Sequence, residues 1–135
     1  MSIQSPLIAT LYVALGGGLG AALRYQTGRA MTAWLGPQAV TVFPWATLTV
    51  NVVGSLLMGI LAGWLAKQGG DSDPWRLMLG VGVLGGFTTF SAFSLEMMLL
   101  IERGQPLLAL TYAAVSVLAG LTALYIGLIV MRLVG

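Results

Sequence analysis

The 135-residue sequence has no cysteine, no histidine and very little charge. Without cysteine there is no disulfide, thiolate metal site or cysteine nucleophile. Without histidine the commonest general base and the commonest transition-metal ligand are missing. Charged residues make up 7% of the chain, against about 25% in ordinary globular proteins. Six Lys or Arg and four Asp or Glu cannot clothe a water-soluble surface. Disorder is excluded too, because it needs low hydrophobicity and high net charge. The net charge of +2 comes from scattered side chains, and no basic run points to nucleic acid.

What is abundant is apolar. Hydrophobic residues are 58% of the sequence, and the mean hydropathy is +0.94. The class is an all-α integral membrane protein, a single membrane domain over residues 1–135. Four apolar stretches are long enough to span: 7–23, 45–66, 77–101 and 107–131. The first is short and extends back towards Ile3. Four strands cannot close a barrel, so the spans are helices. Trp45, Trp64, Trp75 and Tyr25 stand near span ends, where amphipathic rings anchor. Gly36-Pro37 with Phe43-Pro44, the run Gly69 to Pro74, and Gly104-Gln105-Pro106 mark short connections. The N-terminus has no basic segment, so no cleavable signal peptide is expected. No internal repeat stands out.

With four spans, both termini and the middle connection share one side. That side carries Lys67, Arg76 and Arg132; the other carries Arg24, Arg29 and Arg103. Orientation follows the bias in positive charge, and here the count is equal. One reading is dual topology, with the chain inserting both ways up as an antiparallel homodimer. The other is that six charges are too few to set a bias. Glycine pairs at Gly16/Gly20, Gly59/Gly63 and Gly82/Gly86 suit close helix packing in lipid. They also suit an eight-helix dimer.

The third span holds Gly85-Gly86-Phe87-Thr88-Thr89-Phe90-Ser91-Ala92-Phe93-Ser94. Adjacent glycines and adjacent threonines weaken a helix. A mid-membrane break would free backbone groups that must then face protein, water or an ion. The alternative is an unbroken helix with hydroxyls bonded back to carbonyls. Phe87, Phe90 and Phe93 recur every third residue and are expected on one helical face. Their positive ring edges, beside hydroxyls, suit a small anion. Asn51, in the second span, is a neutral donor in a place where a bare amide is costly. Thr47 lies four residues earlier on the same face. Tyr112 and Ser116 form a second polar pair on the fourth span. Glu96 is the sole charge inside a span and is expected to snorkel to the interface. No catalytic constellation emerges, so no enzyme activity is expected.

Taken in order, these motifs resemble the Fluc/CrcB fluoride channels over essentially the whole chain. The signatures are Gly17-Gly18-Leu19-Gly20-Ala21-Ala22-Leu23-Arg24-Tyr25, Thr47-Leu48-Thr49-Val50-Asn51 with Gly54, and the run Gly85 to Ser94. The resemblance implies a passive fluoride channel of the cytoplasmic (inner) membrane of a bacterium, exporting toxic fluoride. It implies a dual-topology antiparallel homodimer with the third helix broken at mid-membrane. It implies a structural sodium ion on the dimer axis, held by the carbonyls of Gly85 and Thr88. It places the fluoride pathway on Asn51, Phe90, Phe93, Tyr112 and Ser116, with the hydroxyls of Thr47, Thr89 and Ser91 beside it, and puts Arg24 near an aqueous vestibule. Two positions depart from the pattern: Ala92 replaces a common threonine, and Gly120 a serine of the polar track. The alternative is a small dual-topology proton-coupled multidrug exporter, although the first span lacks the deep carboxylate such exchange needs.

Overall fold

Pro6, Pro37 and Pro106 open helices, and Gly36 and Gly69 close two of them, as their backbone preferences dictate. The computed structural model describes residues 5–69 and 72–135. The readings that touch Met1–Gln4, Gly70 and Asp71 lie outside the described residues. Helix α1 (Pro6–Leu35) starts behind Ser5, whose Oγ accepts the Ile8 N–H at 3.4 Å. It stops at Gly36, where φ is +90°. A short α2 (Pro37–Val42) leads to α3 (Trp45–Gln68). A single turn, α4 (Asp73–Trp75), runs into a π-helical stretch, Arg76–Leu84, and then α5 (Gly85–Phe87). Then come α6 (Phe90–Glu102) and α7 (Pro106–Leu133).

Four helical stretches are long and apolar enough to cross a membrane: Pro6–Leu35, Trp45–Gln68, Asp73–Glu102 and Pro106–Leu133. The protein is a multi-pass, all-helical membrane protein. Two expectations need correction. The first helix does not end at Leu23; it continues through Arg24 and Arg29 to Leu35. Arginine ends an apolar run but is itself a good helix former. The first connection is also not a bare loop, because Gly36-Pro37 and Phe43-Pro44 bracket α2.

Helix α1 lies along the π-helical stretch and α5, and α3 lies along α7. The glycine seams make both contacts. A Cβ at Gly16 would strike the Met78 carbonyl, and one at Gly20 the Val83 carbonyl. Across the other seam, Gly59 faces the Leu124 carbonyl and Gly127 the Leu56 carbonyl. The seams are therefore used inside one chain, and they do not themselves argue for a second copy. Val50 and Tyr112 are fully buried, the latter in a cluster with Leu100 and Ala109. Leu7, Leu15, Leu118 and Leu121 are exposed. Such a wide apolar outer surface needs lipid or a partner.

Five of the six cations fall at two ends, while Arg24, in the middle of α1, reaches the Gly86 carbonyl within the third span. Lys67 bonds the Met131 carbonyl beside Arg132, and the Trp64–Trp75 edge contact at 6.2 Å brings the Arg76 turn to the same end. At the other end, Arg103 Nη1 donates to the Thr41 carbonyl of α2 at 2.7 Å, and α2 follows the Arg29 end of α1.

Gly20 and Gly18 make a paired test of this packing. Gly20→Val should destabilise the detergent-solubilised protein by about 1–3 kcal/mol, the range for overpacking. Gly18→Ala, where a Cβ meets nothing within 4 Å, should leave thermal stability unchanged or raised. Equal losses in both would show that the α1 seam does not pack as described.

Candidate functional site

The third span loses its helical backbone at Thr88 and Thr89. Thr88 has φ −83° and ψ 159°, and Thr89 has φ −153° and ψ 122°. The cause is legible locally. The π-helical stretch has already loosened the helix, with the Gly85 N–H reaching back to the Gly80 carbonyl. Gly85 and Gly86 then carry no side chain to support it, and the next two residues are poor helix formers. The Thr88 N–H and Oγ1 both turn back to the Leu84 carbonyl, at 3.0 and 2.9 Å. The Thr89 Oγ1 caps the new helix by accepting the Ala92 N–H at 3.2 Å.

The interruption leaves peptide groups to satisfy, and neighbouring helices supply the partners. Asn51 holds the Thr89 backbone from both sides. Its Oδ1 accepts the Thr89 N–H at 2.8 Å, and its Nδ2 donates to the Thr89 carbonyl at 3.1 Å. An amide nitrogen carries two N–H donors, so one donor is spent here and one is left for a ligand. Arg24 Nε donates to the Gly86 carbonyl at 3.1 Å, bracing the first half-helix from α1. Among the described residues, the Gly85 and Thr88 carbonyls accept no hydrogen bond.

Beyond the break, Thr47 and Tyr112 converge on Glu96. Thr47 Oγ1 donates to Oε1 at 2.6 Å, and the Tyr112 hydroxyl donates to Oε2 at 2.8 Å. This corrects the expectation that Glu96 snorkels away. The side chain points inward because two hydroxyls on α3 and α7 satisfy its carboxylate, which neither helix reveals alone. Charge-assisted bonds of this kind are the strong ones. Ser116, one turn along α7, keeps a buried Oγ with no partner.

The phenylalanines also need correction. The break separates Phe87 from the other two, so the three do not share one helical face. Phe90 and Phe93 remain paired, with centroids 5.7 Å apart. Phe93 packs inward on Tyr112 at 5.1 Å, while Phe90 is 78% exposed. Ser91 lies beside Thr89, with hydroxyl oxygens 3.4 Å apart. Of the two departures, Gly120 faces the Ser55 hydroxyl, which bonds the Asn51 carbonyl at 2.7 Å. Ala92 lines a cavity of about 750 Å³ together with Arg24, Thr47 and Thr89. A second cavity, of about 280 Å³, is lined by Asn51, Ser55, Thr88, Thr89 and Phe90. Thr89 therefore lines both spaces. The larger is overlooked by a cation, and the smaller is lined by an amide, hydroxyls and a ring.

Comparison with known proteins gives this arrangement a family. Residues 11–128 match the family described as CrcB-like protein, Camphor Resistance (CrcB). The chain belongs to the CrcB family. A CrcB relative from Erythrobacter litoralis is 60% identical over 134 residues, covering 98% of each chain. One from Novosphingobium aromaticivorans is 64% identical over 126 residues, covering 93% of this chain and 98% of its own. One from Caulobacter vibrioides is 52% identical over 123 residues, covering 90% and 94%. All three relatives bear the name fluoride-specific ion channel FluC. The matched CrcB region takes in the break, Asn51, Arg24 and the Thr47–Glu96–Tyr112 network.

The two bonds from Asn51 should be measurable at the Thr89 amide. Asn51→Ala removes both, and a lost buried hydrogen bond costs about 1–3 kcal/mol. Amide hydrogen exchange at Thr89 should then accelerate by about tenfold or more, with little change in the middle of α7. Unchanged exchange at Thr89 would show that Asn51 does not hold this peptide.

Proposed function

We propose that this protein is a passive, fluoride-selective channel that lets cytoplasmic fluoride leave the cell and so confers fluoride resistance. It is not an enzyme. The observation that carries the reading is Thr89, clasped by Asn51 and lining both the Arg24 cavity and the Asn51–Phe90 cavity. The names borne by the CrcB relatives support fluoride as the ion.

The unit we propose is an antiparallel, dual-topology homodimer in the inner membrane of a bacterium. The equal count of positive residues on the two sides of the four-span sequence supports insertion both ways up. The exposed Phe90 and the open cavity beside Asn51 support a second copy too. Polar backbone at membrane depth must be covered by protein or water, and one chain leaves that face bare. The break then lies near mid-membrane.

Fluoride is small and strongly hydrated, so its water must be replaced by donors as it enters. Arg24 offers the first attraction at the cavity floor. The second Nδ2–H of Asn51 and the hydroxyls of Thr89 and Ser91 offer neutral donors beyond it. The ring edges of Phe90 and Phe93 add weak positive potential without a fixed charge that would trap the ion. Ser116 Oγ, on α7, has a hydrogen to give. Thr47 and Tyr112 already donate to Glu96, and they would need to turn to greet an anion. A larger, more weakly hydrogen-bonding halide gains less from the same donors.

We also propose a structural sodium ion at the break, shared between the two copies. The Gly85 and Thr88 carbonyls would hold it, and their lack of hydrogen-bond partners fits this role, since a hard cation takes oxygen ligands. The ion would supply fixed positive charge and tie the half-helices together.

Proteoliposomes loaded with fluoride or chloride test the reading, with the potential clamped by potassium and valinomycin. Fluoride should escape quickly while chloride stays. Asn51→Val should cut fluoride release about tenfold or more. A folded protein that releases no fluoride, or releases chloride equally, contradicts the proposal.

A further inference from the structure

The large cavity holds a second cation that nothing above uses. Its wall on α1 consists of two adjacent rows, Arg24 with Gly28 and Thr32, and Tyr25 with Arg29. Arg29 is exposed, and the one ion pair among the described residues is Arg76 with Asp73, at the opposite end. No Asp or Glu lines the cavity. Gly28 stands between the two arginines in mid-helix, where glycine costs about 1 kcal/mol against alanine. A Cβ there would meet nothing within 4 Å, so packing does not require a glycine there; its effect is to leave the wall bare. Five residues of helix separate Arg24 from Arg29, a rise of about 7.5 Å. Two positive charges are therefore staggered along one cavity, the inner one fixed to the Gly86 carbonyl and the outer one towards the water.

We propose that Arg29 is an anion-collecting residue: it raises the concentration of small anions in the cavity and passes them to Arg24. This rests on the channel reading and deepens it. Arg29 makes no bond to the permeating ion at the break. It acts through the potential of a charged cleft with low-dielectric walls, which concentrates counter-ions and speeds entry. Its influence must therefore vanish with salt. The Debye length falls from about 30 Å at 0.01 M to about 3 Å at 1 M, shorter than the rise of about 7.5 Å between the two arginines.

The chain has no cysteine, so a single reporter thiol can be placed without background. Thr32→Cys puts it on the exposed cavity wall, and Thr32 serves none of the roles assigned above. The measurement is its rate of modification, in the reconstituted protein, by methanethiosulfonates bearing sulfonate or trimethylammonium. The anionic reagent should be favoured relative to a free thiol. Adding Arg29→Gln should lower that preference about two- to fourfold at 0.01 M salt and not at 1 M. Arg29→Lys should preserve it. Fluoride efflux should follow the same pattern in the variants that keep Thr32. A preference that Arg29→Gln leaves unchanged at low salt, or lowers equally at 1 M, overturns the proposal. A charge preference that behaves as expected in a protein that passes no fluoride would defeat the channel reading and leave the collecting role of Arg29 standing.

Discussion

The two hydrogen bonds between Asn51 and the Thr89 peptide are the constraint on which the rest depends. Breaking a helix inside a membrane strands donors and acceptors that water cannot reach. Here one amide side chain satisfies both backbone groups of one residue, and the Arg24 guanidinium takes the Gly86 carbonyl. These two braces come from different helices, so α1 and α3 must both be in place before the interruption is tolerable. That explains why the seams around the break are so small-residued. Gly16 and Gly20 bring α1 against the third span, and Gly54 admits the Thr88 methyl group.

Satisfying the break incompletely is what makes it useful. The second Asn51 N–H, the Ser116 hydroxyl and the carbonyls of Gly85 and Thr88 are the residue of polar capacity that the fold does not consume. In the proposed channel, those donors would receive an anion and the bare carbonyls a cation. A fully bonded helix could receive neither. Glu96 is the counter-example: its carboxyl oxygens are already met by the Thr47 and Tyr112 hydroxyls.

Much of this was legible in the sequence. Hydropathy and Pro/Gly punctuation locate the four spans, and adjacent glycines and threonines locate the weak point in the third. Asn51 could be singled out because an amide in an apolar run must have partners. Its chosen partner, a peptide on another helix, could not be read. The inward Glu96 was missed for the same reason, since its two donors lie on separate helices and the sequence offers no spacing rule between them. Phe87 was misplaced because a three-residue period assumes an unbroken helix, which the same stretch undermines. The π-helical Arg76–Leu84 left no signal, because its register is set by packing against α1. The length of α1 was hidden by two arginines that interrupt the hydropathy and leave the helix intact.

The proposed route past Asn51 and Thr89 would conduct fluoride passively. The most direct test is the reversal potential across a planar bilayer containing the purified protein, with fluoride, chloride and proton gradients imposed in turn. A passive fluoride channel gives a current that reverses at the fluoride equilibrium potential and ignores the other two gradients. A reversal potential that follows chloride, or a transport current driven by the proton gradient, would contradict it.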